Sequence, residues 1–280
     1  MRGRPGRQLA MLIRKLRTHA EYLAAEDIQR AVWNFPEREV IPLNELVVAQ
    51  RIGGHVLGAF DRGRLVAFSF GIPGFAGGRV YHYSRMTGVL PAYQNSGLGF
   101  RLKLAQRRFV LAQGLDLVRW TFDPLQSRNA RFNIEKLGCV IDEYLVNVYG
   151  RSGSRFNRGL ETDRFVPRWW IRSKRVADRL AGRSKSVPIE EGFASFPAAI
   201  ETDFRENVAR PGRIRGVPRG PRASVEIPPD IDALKRRDLP LAQAWRRATR
   251  AAFRSLFRRG FAVTGFATGG GRSLYLLERA

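Results

Sequence analysis

Val89-Leu90-Pro91-Ala92-Tyr93-Gln94-Asn95-Ser96-Gly97-Leu98-Gly99-Phe100 is the stretch on which the reading of this chain turns. On its N-terminal side lies a β-branched and aromatic run, Val80 to Leu90, closed by Pro91. On its C-terminal side Leu98, Leu102, Ala105, Phe109 and Ala112 recur at helical spacing until Gly114. A strand therefore passes through a short turn into a helix over 97–113. The first turn of a helix carries N–H groups with no partner in the helix, and the dipole adds partial positive charge there. Glycines let an anion come close to the main chain. The spacing Gln94-x-x-Gly97-x-Gly99 therefore reads as a pyrophosphate cradle at a helix N-terminus, the other reading being an ordinary glycine turn.

Working outward, Ile13 to Leu16 reads as a strand and Thr18 to Trp33 as a helix, with Thr18 and Glu21 spaced as a capping box. Leu43 to Ile52 resumes as a helix and stops at Gly53-Gly54. Val56–Phe60 and Leu65–Ile72 flank Asp61-Arg62-Gly63 and predict a hairpin. Pro73 to Gly78 reads as a loop. Beyond the helix come a strand at Leu117–Phe122, a helix at Ser127–Leu137 ended by Gly138, and a strand at Val140–Tyr149. The helix over 97–113 is then a crossover, which places Val80–Leu90 and Leu117–Phe122 parallel and adjacent in a mixed α/β fold.

This order of elements, the Gln94–Gly99 turn, and the Asn129-Ala130 and Glu135-Lys136-Leu137-Gly138 sequence together resemble the GCN5-related N-acetyltransferase (GNAT) superfamily, over about half the chain. The resemblance implies a mixed sheet of the acyl-CoA N-acyltransferase type with flanking helices. It implies acetyl-CoA or another acyl-CoA as co-substrate. Main-chain groups near Thr87 to Val89 would pair with the pantetheine arm, and one amide there would stabilise the oxyanion of the tetrahedral intermediate. Gln94, Asn95, Ser96, Gly97, Leu98 and Gly99 would hold the pyrophosphate. Arg101, Lys103, Arg107 or Arg108 would reach the 3′-phosphate, and Asn129 would contact the cofactor arm.

The pattern departs from the superfamily at one telling place. The Tyr that in many members protonates the leaving thiolate is Ile134 here. Tyr144 or Tyr149 is the available substitute, packing being the alternative for both. For a base the sequence offers His82, Tyr83, Glu143 and Asp123. His82 and Tyr83 lie on the strand expected to face the acyl group. Asp123 stands either to bind a cationic acceptor or to form an Asp-Pro turn. His19 fits a helix start and His55 a loop or strand start; three scattered histidines make no metal site. Cys139 reads as core.

The 280 residues carry a formal net charge of +24, with 49 Lys and Arg against 25 Asp and Glu. That charge attracts polyanions, so nucleic acid stands as a partner beside the phosphates of coenzyme A. The bland reading is base composition, since nearly all the basic residues are Arg. One cysteine allows no disulfide within the chain, and no signal segment or apolar span is visible, so a cytoplasmic protein is expected. We divide the chain into a GNAT-like domain, 1–172, and a C-terminal α/β extension, 173–280. Residues 1–9 read as a basic tail. In the extension, 182–188 and 209–222 read as loops, Ala223–Ile227 as a strand, and Pro240–Arg259 as a helix. Two strands, Phe261–Ala267 and Leu274–Glu278, follow it. Arg246, Arg250, Arg254 and Arg258 form one stripe on that helix, facing either solvent or an acidic ligand. Trp169-Trp170 reads as packing or as a stacking platform. Two functions compete: an acyl-CoA-dependent transferase acting on an amine or small acceptor, and a basic nucleic-acid-associated protein with an inactive acyltransferase fold. A transferase drawing its acyl group from RNA would reconcile loop and charge.

Overall fold

β1 (Leu12–Lys15) leads into α1 (His19–Trp33) in a computed structural model that describes residues 11–150, 159–205 and 208–279. The tail expected over 1–9 lies outside the described residues. The chain divides into two compact units, one ending at Val118 and the other beginning at Arg119. The division expected at 172/173 falls inside the second.

In the first unit Thr18 caps α1, its hydroxyl accepting from Glu21 N at 3.3 Å. The Glu21 carboxylate turns back to Arg17 N and the Arg14 guanidinium. The bond from Arg14 holds the Glu21 pKa down at about 2. α2 (Leu43–Arg51) is followed by β2 (His55–Asp61), β3 (Arg64–Ala76) and β4 (Arg79–Val89). The four strands pair antiparallel in order. Both hairpins turn on two residues of positive φ, Arg62-Gly63 and Gly77-Gly78, which suits the strand twist. The loop expected over Pro73–Gly78 is therefore mostly strand. β2 leaves β3 at Gly71, so Pro73 owes no N–H to a second neighbour and is tolerated there. α1 and α2 cover one face through Ile28, Leu46, Val56, Phe68 and Met86. α3 (Leu98–Ala112) covers the other through Leu57, Ala67, Leu102 and Ala105.

β4 contains a bulge. Met86 pairs with Phe70 but Ser84 pairs with Gly71, so Arg85 is an extra residue. The bulge inverts the alternation: Thr87, Ser84 and His82 share one face, opposite Ser69, Gly71 and Pro73. β5 (Leu117–Arg119), whose first two residues close this unit, follows β4 in sheet order. It is shorter than the strand expected to Phe122, which keeps a single antiparallel bridge to Phe165.

The second unit begins its helices with α4 (Ser127–Arg131), which widens into a π-helical turn over Phe132–Lys136 before Gly138 at φ 79°. In place of the one continuous helix expected there, Leu137 N reaches back five residues to Phe132 O. β6 (Val140–Leu145) and β7 (Arg164–Trp170) follow, then α5 (Lys174–Leu180), α6 (Ile189–Ser195), β8 (Ile200–Arg205) and β9 (Val208–Ile214). β10 (Arg222–Ile227), α7 (Ile231–Arg237), α8 (Leu239–Arg258), β11 (Phe261–Gly269) and β12 (Arg272–Arg279) complete it. The sheet order is β7-β6-β11-β12-β10, all antiparallel. The strand expected to Tyr149 stops at Leu145, because Asn147 takes φ 46° and gives its N–H to Asp163. The loop expected over 209–222 begins as β9, paired with β8 in a two-stranded sheet where Pro211 sits on an edge. Phe253 of α8 packs edge to face on Phe165 and Tyr275, which also meet each other, and Phe266 packs on Tyr275.

The arginine stripe on α8 is not a solvent face. Arg246 is 1% exposed and bound to Asp123, and Arg250 is held by Asp163 and Glu161. Only Arg254 and Arg258 face outward. Among the described residues, no helix is long and apolar enough to cross a membrane.

Candidate functional site

The Gln94–Gly99 turn is held open from below. Pro91–Tyr93 make a single helical turn, and the Tyr93 hydroxyl donates to Asp61 Oδ2 at 2.8 Å, tying the turn to the first hairpin. Gln94 Nε2 donates to Val89 O at 3.0 Å, and Ser96 Oγ to Tyr93 O at 2.6 Å. Asn95 and Gly97 take φ 60° and 79°. Leu98 is buried in the core under α3 and anchors the helix start. Gln94 to Gly97 are exposed, and no side chain caps α3. A Cβ added at Gly97 or Gly99 would meet nothing within 4 Å. The free N–H groups of the first helical turn thus face open space, the geometry an oxyanion needs.

Around the cradle, Arg101 donates to Met11 O at 2.9 Å, while Arg108 is exposed. Lys103 does not serve the 3′-phosphate as expected. It is buried, and its ammonium donates to Ser84 Oγ at 2.9 Å and Gln106 Oε1 at 3.1 Å. Helical geometry explains the correction: 103 lies on the inner face with Leu102 and Gln106.

His82 is fully buried on the α3 side of β4. Its Nε2 lies 2.9 Å from His55 Nδ1, and the rings stack with centroids 4.9 Å apart against Phe109. His55 Nε2 lies 3.1 Å from Ser69 Oγ, which lies 3.3 Å from Thr87 Oγ1. Burial, reinforced by the Lys103 ammonium, brings the His82 pKa down to about 4. Burial also holds His55 well below 6.5, helped by His82, Lys103 and Lys15. Gly71 makes the pair possible, since a Cβ there would stand 2.5 Å from His82 Nε2. Tyr83, one residue on, is half-buried on β4. Sequence reasoning missed His55, Ser69 and Lys103 as a buried polar layer. The available signal was Ser69, Gly71 and Ser84, small or polar residues inside otherwise apolar strands.

The remaining candidates belong to the second unit. Asp123 accepts from Leu125 N at 2.8 Å and from Arg246 Nη2 at 2.6 Å, so its carboxylate already has a turn and a cation. Asn129 is exposed on α4. The Tyr144 hydroxyl donates to Asp163 at 2.6 Å, and burial pushes its pKa far above the usual value. Tyr149 is exposed, its hydroxyl 2.9 Å from Thr121 Oγ1. Glu143 pairs with Arg119. Ile134 and Cys139 are core. Trp169 is packed and donates to Leu137 O at 2.8 Å. Among the described residues no group of His, Cys, Asp and Glu is arranged to hold a metal ion.

No protein-family model matches the chain, and no curated protein matches it in sequence. Solved structures that resemble it include an acetyltransferase of the GNAT family from Streptococcus pneumoniae, 17% identical, with a TM-score of 0.45 over 56% of this chain and 97% of that one. The ribosomal-protein-S18-alanine N-acetyltransferase from Escherichia coli is 16% identical, with a TM-score of 0.46 over 57% of this chain and 94% of that one. An aminoglycoside 6'-acetyltransferase of type Ii is 19% identical, with a TM-score of 0.46 over 58% of this chain and 99% of that one.

Proposed function

We propose that this chain is an acyl-CoA-dependent N-acyltransferase that transfers an acyl group, acetyl in the simplest case, to an amine. The acyltransferase domain is taken over residues 1–172, with 173–280 as an α/β extension to it. The observation that carries the reading is the uncapped start of α3: Gly97 at φ 79°, with open space above Gly97 and Gly99 and exposed residues from Gln94 to Gly97. A helix start left without a side-chain cap and roofed by glycine suits a phosphate better than it suits stability alone.

In this reading the N–H groups of the Gln94–Gly99 turn bind the pyrophosphate of the acyl-CoA. The end of β4, Thr87 to Val89, lies beside the thioester. A main-chain N–H there polarises the carbonyl as the acceptor nitrogen attacks. The Ile134 side chain supplies no acid, so the thiolate takes its proton from another group or from water.

Isothermal titration with acetyl-CoA, after nucleic acid has been stripped from the protein, tests this. Saturable micromolar binding is expected, lost in Gly99→Glu, whose carboxylate would occupy the phosphate position. A folded wild-type protein that takes up no acetyl-CoA would sink the assignment.

A further inference from the structure

The polar layer under α3 is continuous. Thr87, Ser69, His55 and His82 stand in one hydrogen-bonded line on three neighbouring strands, with successive separations of 3.3, 3.1 and 2.9 Å. Ser69, His55 and His82 are fully buried, and Thr87, at the outer end, is half-buried. The line ends at His82 Nδ1, which has no hydrogen-bond partner among the described residues. Two features of the backbone allow it: the Arg85 bulge, which turns His82 onto the face of Thr87, and Gly71, whose missing side chain lets the imidazoles touch. A core that needed only filling would have taken apolar side chains here at lower desolvation cost.

We propose that Thr87–Ser69–His55–His82 is a proton wire that accepts the proton released at the acceptor during acyl transfer. The inference rests on the acyltransferase reading, which places the thioester beside Thr87. In the resting wire Thr87 donates to Ser69, Ser69 to His55 Nε2, and His55 Nδ1–H to His82 Nε2. As the acceptor atom bonds to the carbonyl carbon, its proton moves to Thr87 Oγ1 and each wire proton shifts one place inward. His82 then carries the extra proton on Nε2. The carbon–sulfur bond breaks and the thiolate leaves with its electron pair. Return of the proton along the wire to the thiolate restores the resting state, and atoms and charge balance. Burial, and after it the Lys103 ammonium on α3, disfavours a lasting positive charge on His82, so the proton is returned rather than stored. Thr87 is the catalytic residue of this device; Ser69, His55 and His82 act through it as positioning residues.

The experiment uses the full chain, with acetyl-CoA as probe and water as acceptor, and follows thiol release. The substitutions are Ser69→Ala, which cuts the wire, and Thr87→Val, which keeps its shape without the hydroxyl. Each should lower kcat about 100-fold, the lower range of acid–base catalysis. Acetyl-CoA affinity by calorimetry should stay within about twofold, as uniform binding is untouched. In heavy water the wild-type rate should show a curved, multi-proton dependence, and the residual rate of either substituted protein a linear one. The chain has only three histidines, so ¹⁵N-histidine spectra read the wire without turnover: Ser69→Ala should move the His55 and His82 signals and leave His19 alone. Folded Ser69→Ala and Thr87→Val proteins that bind acetyl-CoA and release thiol at the wild-type rate overturn the wire while leaving the acyltransferase reading intact. Wild-type protein that binds no acetyl-CoA overturns both.

Discussion

Acid should weaken the first unit through its buried histidines, by an amount the structure sets. The His82 pKa falls from 6.5 to about 4 on folding, because burial opposes the charged ring and Lys103 stands close. A lowered folded-state value means the unfolded chain binds the proton first. The His82 contribution is therefore complete above pH 6.5 and is lost as pH falls from there toward 4. At 1.36 kcal/mol for each tenfold difference, the full loss is roughly 3 kcal/mol, most of it gone by pH 4.5. His55 acts in the same direction. The assay is hydrogen exchange of peptides from β2 to β4, converted to opening free energies at pH 7 and 4.5 in wild type and His82→Gln. The comparison cancels the carboxylates that titrate in both proteins. Between those two pH values the wild type should lose more opening free energy than His82→Gln does, by roughly 2 kcal/mol. Equal losses would refute the claim that His82 is held neutral by burial.

Gly71→Ala drives a methyl to within 2.5 Å of His82 and 2.8 Å of Tyr83 O. Urea unfolding should show a loss of about 1–3 kcal/mol, the range for an overpacked site, together with altered His55 and His82 resonances. In the second unit, Asp123→Ala leaves the Arg246 guanidinium buried without its anion and should cost about 3–5 kcal/mol. Replacing both residues, as Asp123→Leu with Arg246→Met, should recover most of that in the same thermal and urea melts.

Much of the first unit was legible because its signals were local. Turn glycines at 63, 97 and 114, the Thr18 cap and the 3.6-residue spacing of α3 each act within a few residues, and α1, α2 and α3 stand within a residue of their expected bounds. What escaped depends on pairing. Alternation counted back from Thr87 assigns Arg85 and Tyr83 to its face; the bulge, visible only once β3 is beside β4, substitutes Ser84 and His82. His82 stands out in the sequence as a candidate, but its partner His55 lies 27 residues away on another strand. Pro73 and Pro211 read as breaks because a sequence does not say which strands have an unpaired side. Asp123 reads as open to a cation, and the cation that meets it, Arg246, comes from 123 residues along the chain.

The order of strands in the second unit bears on how the chain is made. β6 waits for β11, and Ile141 meets Val263 more than a hundred residues later. Neither neighbour of β12 can be satisfied until the last described strand has been synthesised. The first unit closes with contacts reached by Val118 and can form while translation continues. The second depends on distant pairings, which fold slowly, and it exposes β6 as an unpaired edge throughout elongation. A premature stop before Phe261 would remove β11 and β12 together, leaving β10 without its partner strand and β6 paired only to β7, with its other edge open, turning a translation error into an aggregation hazard.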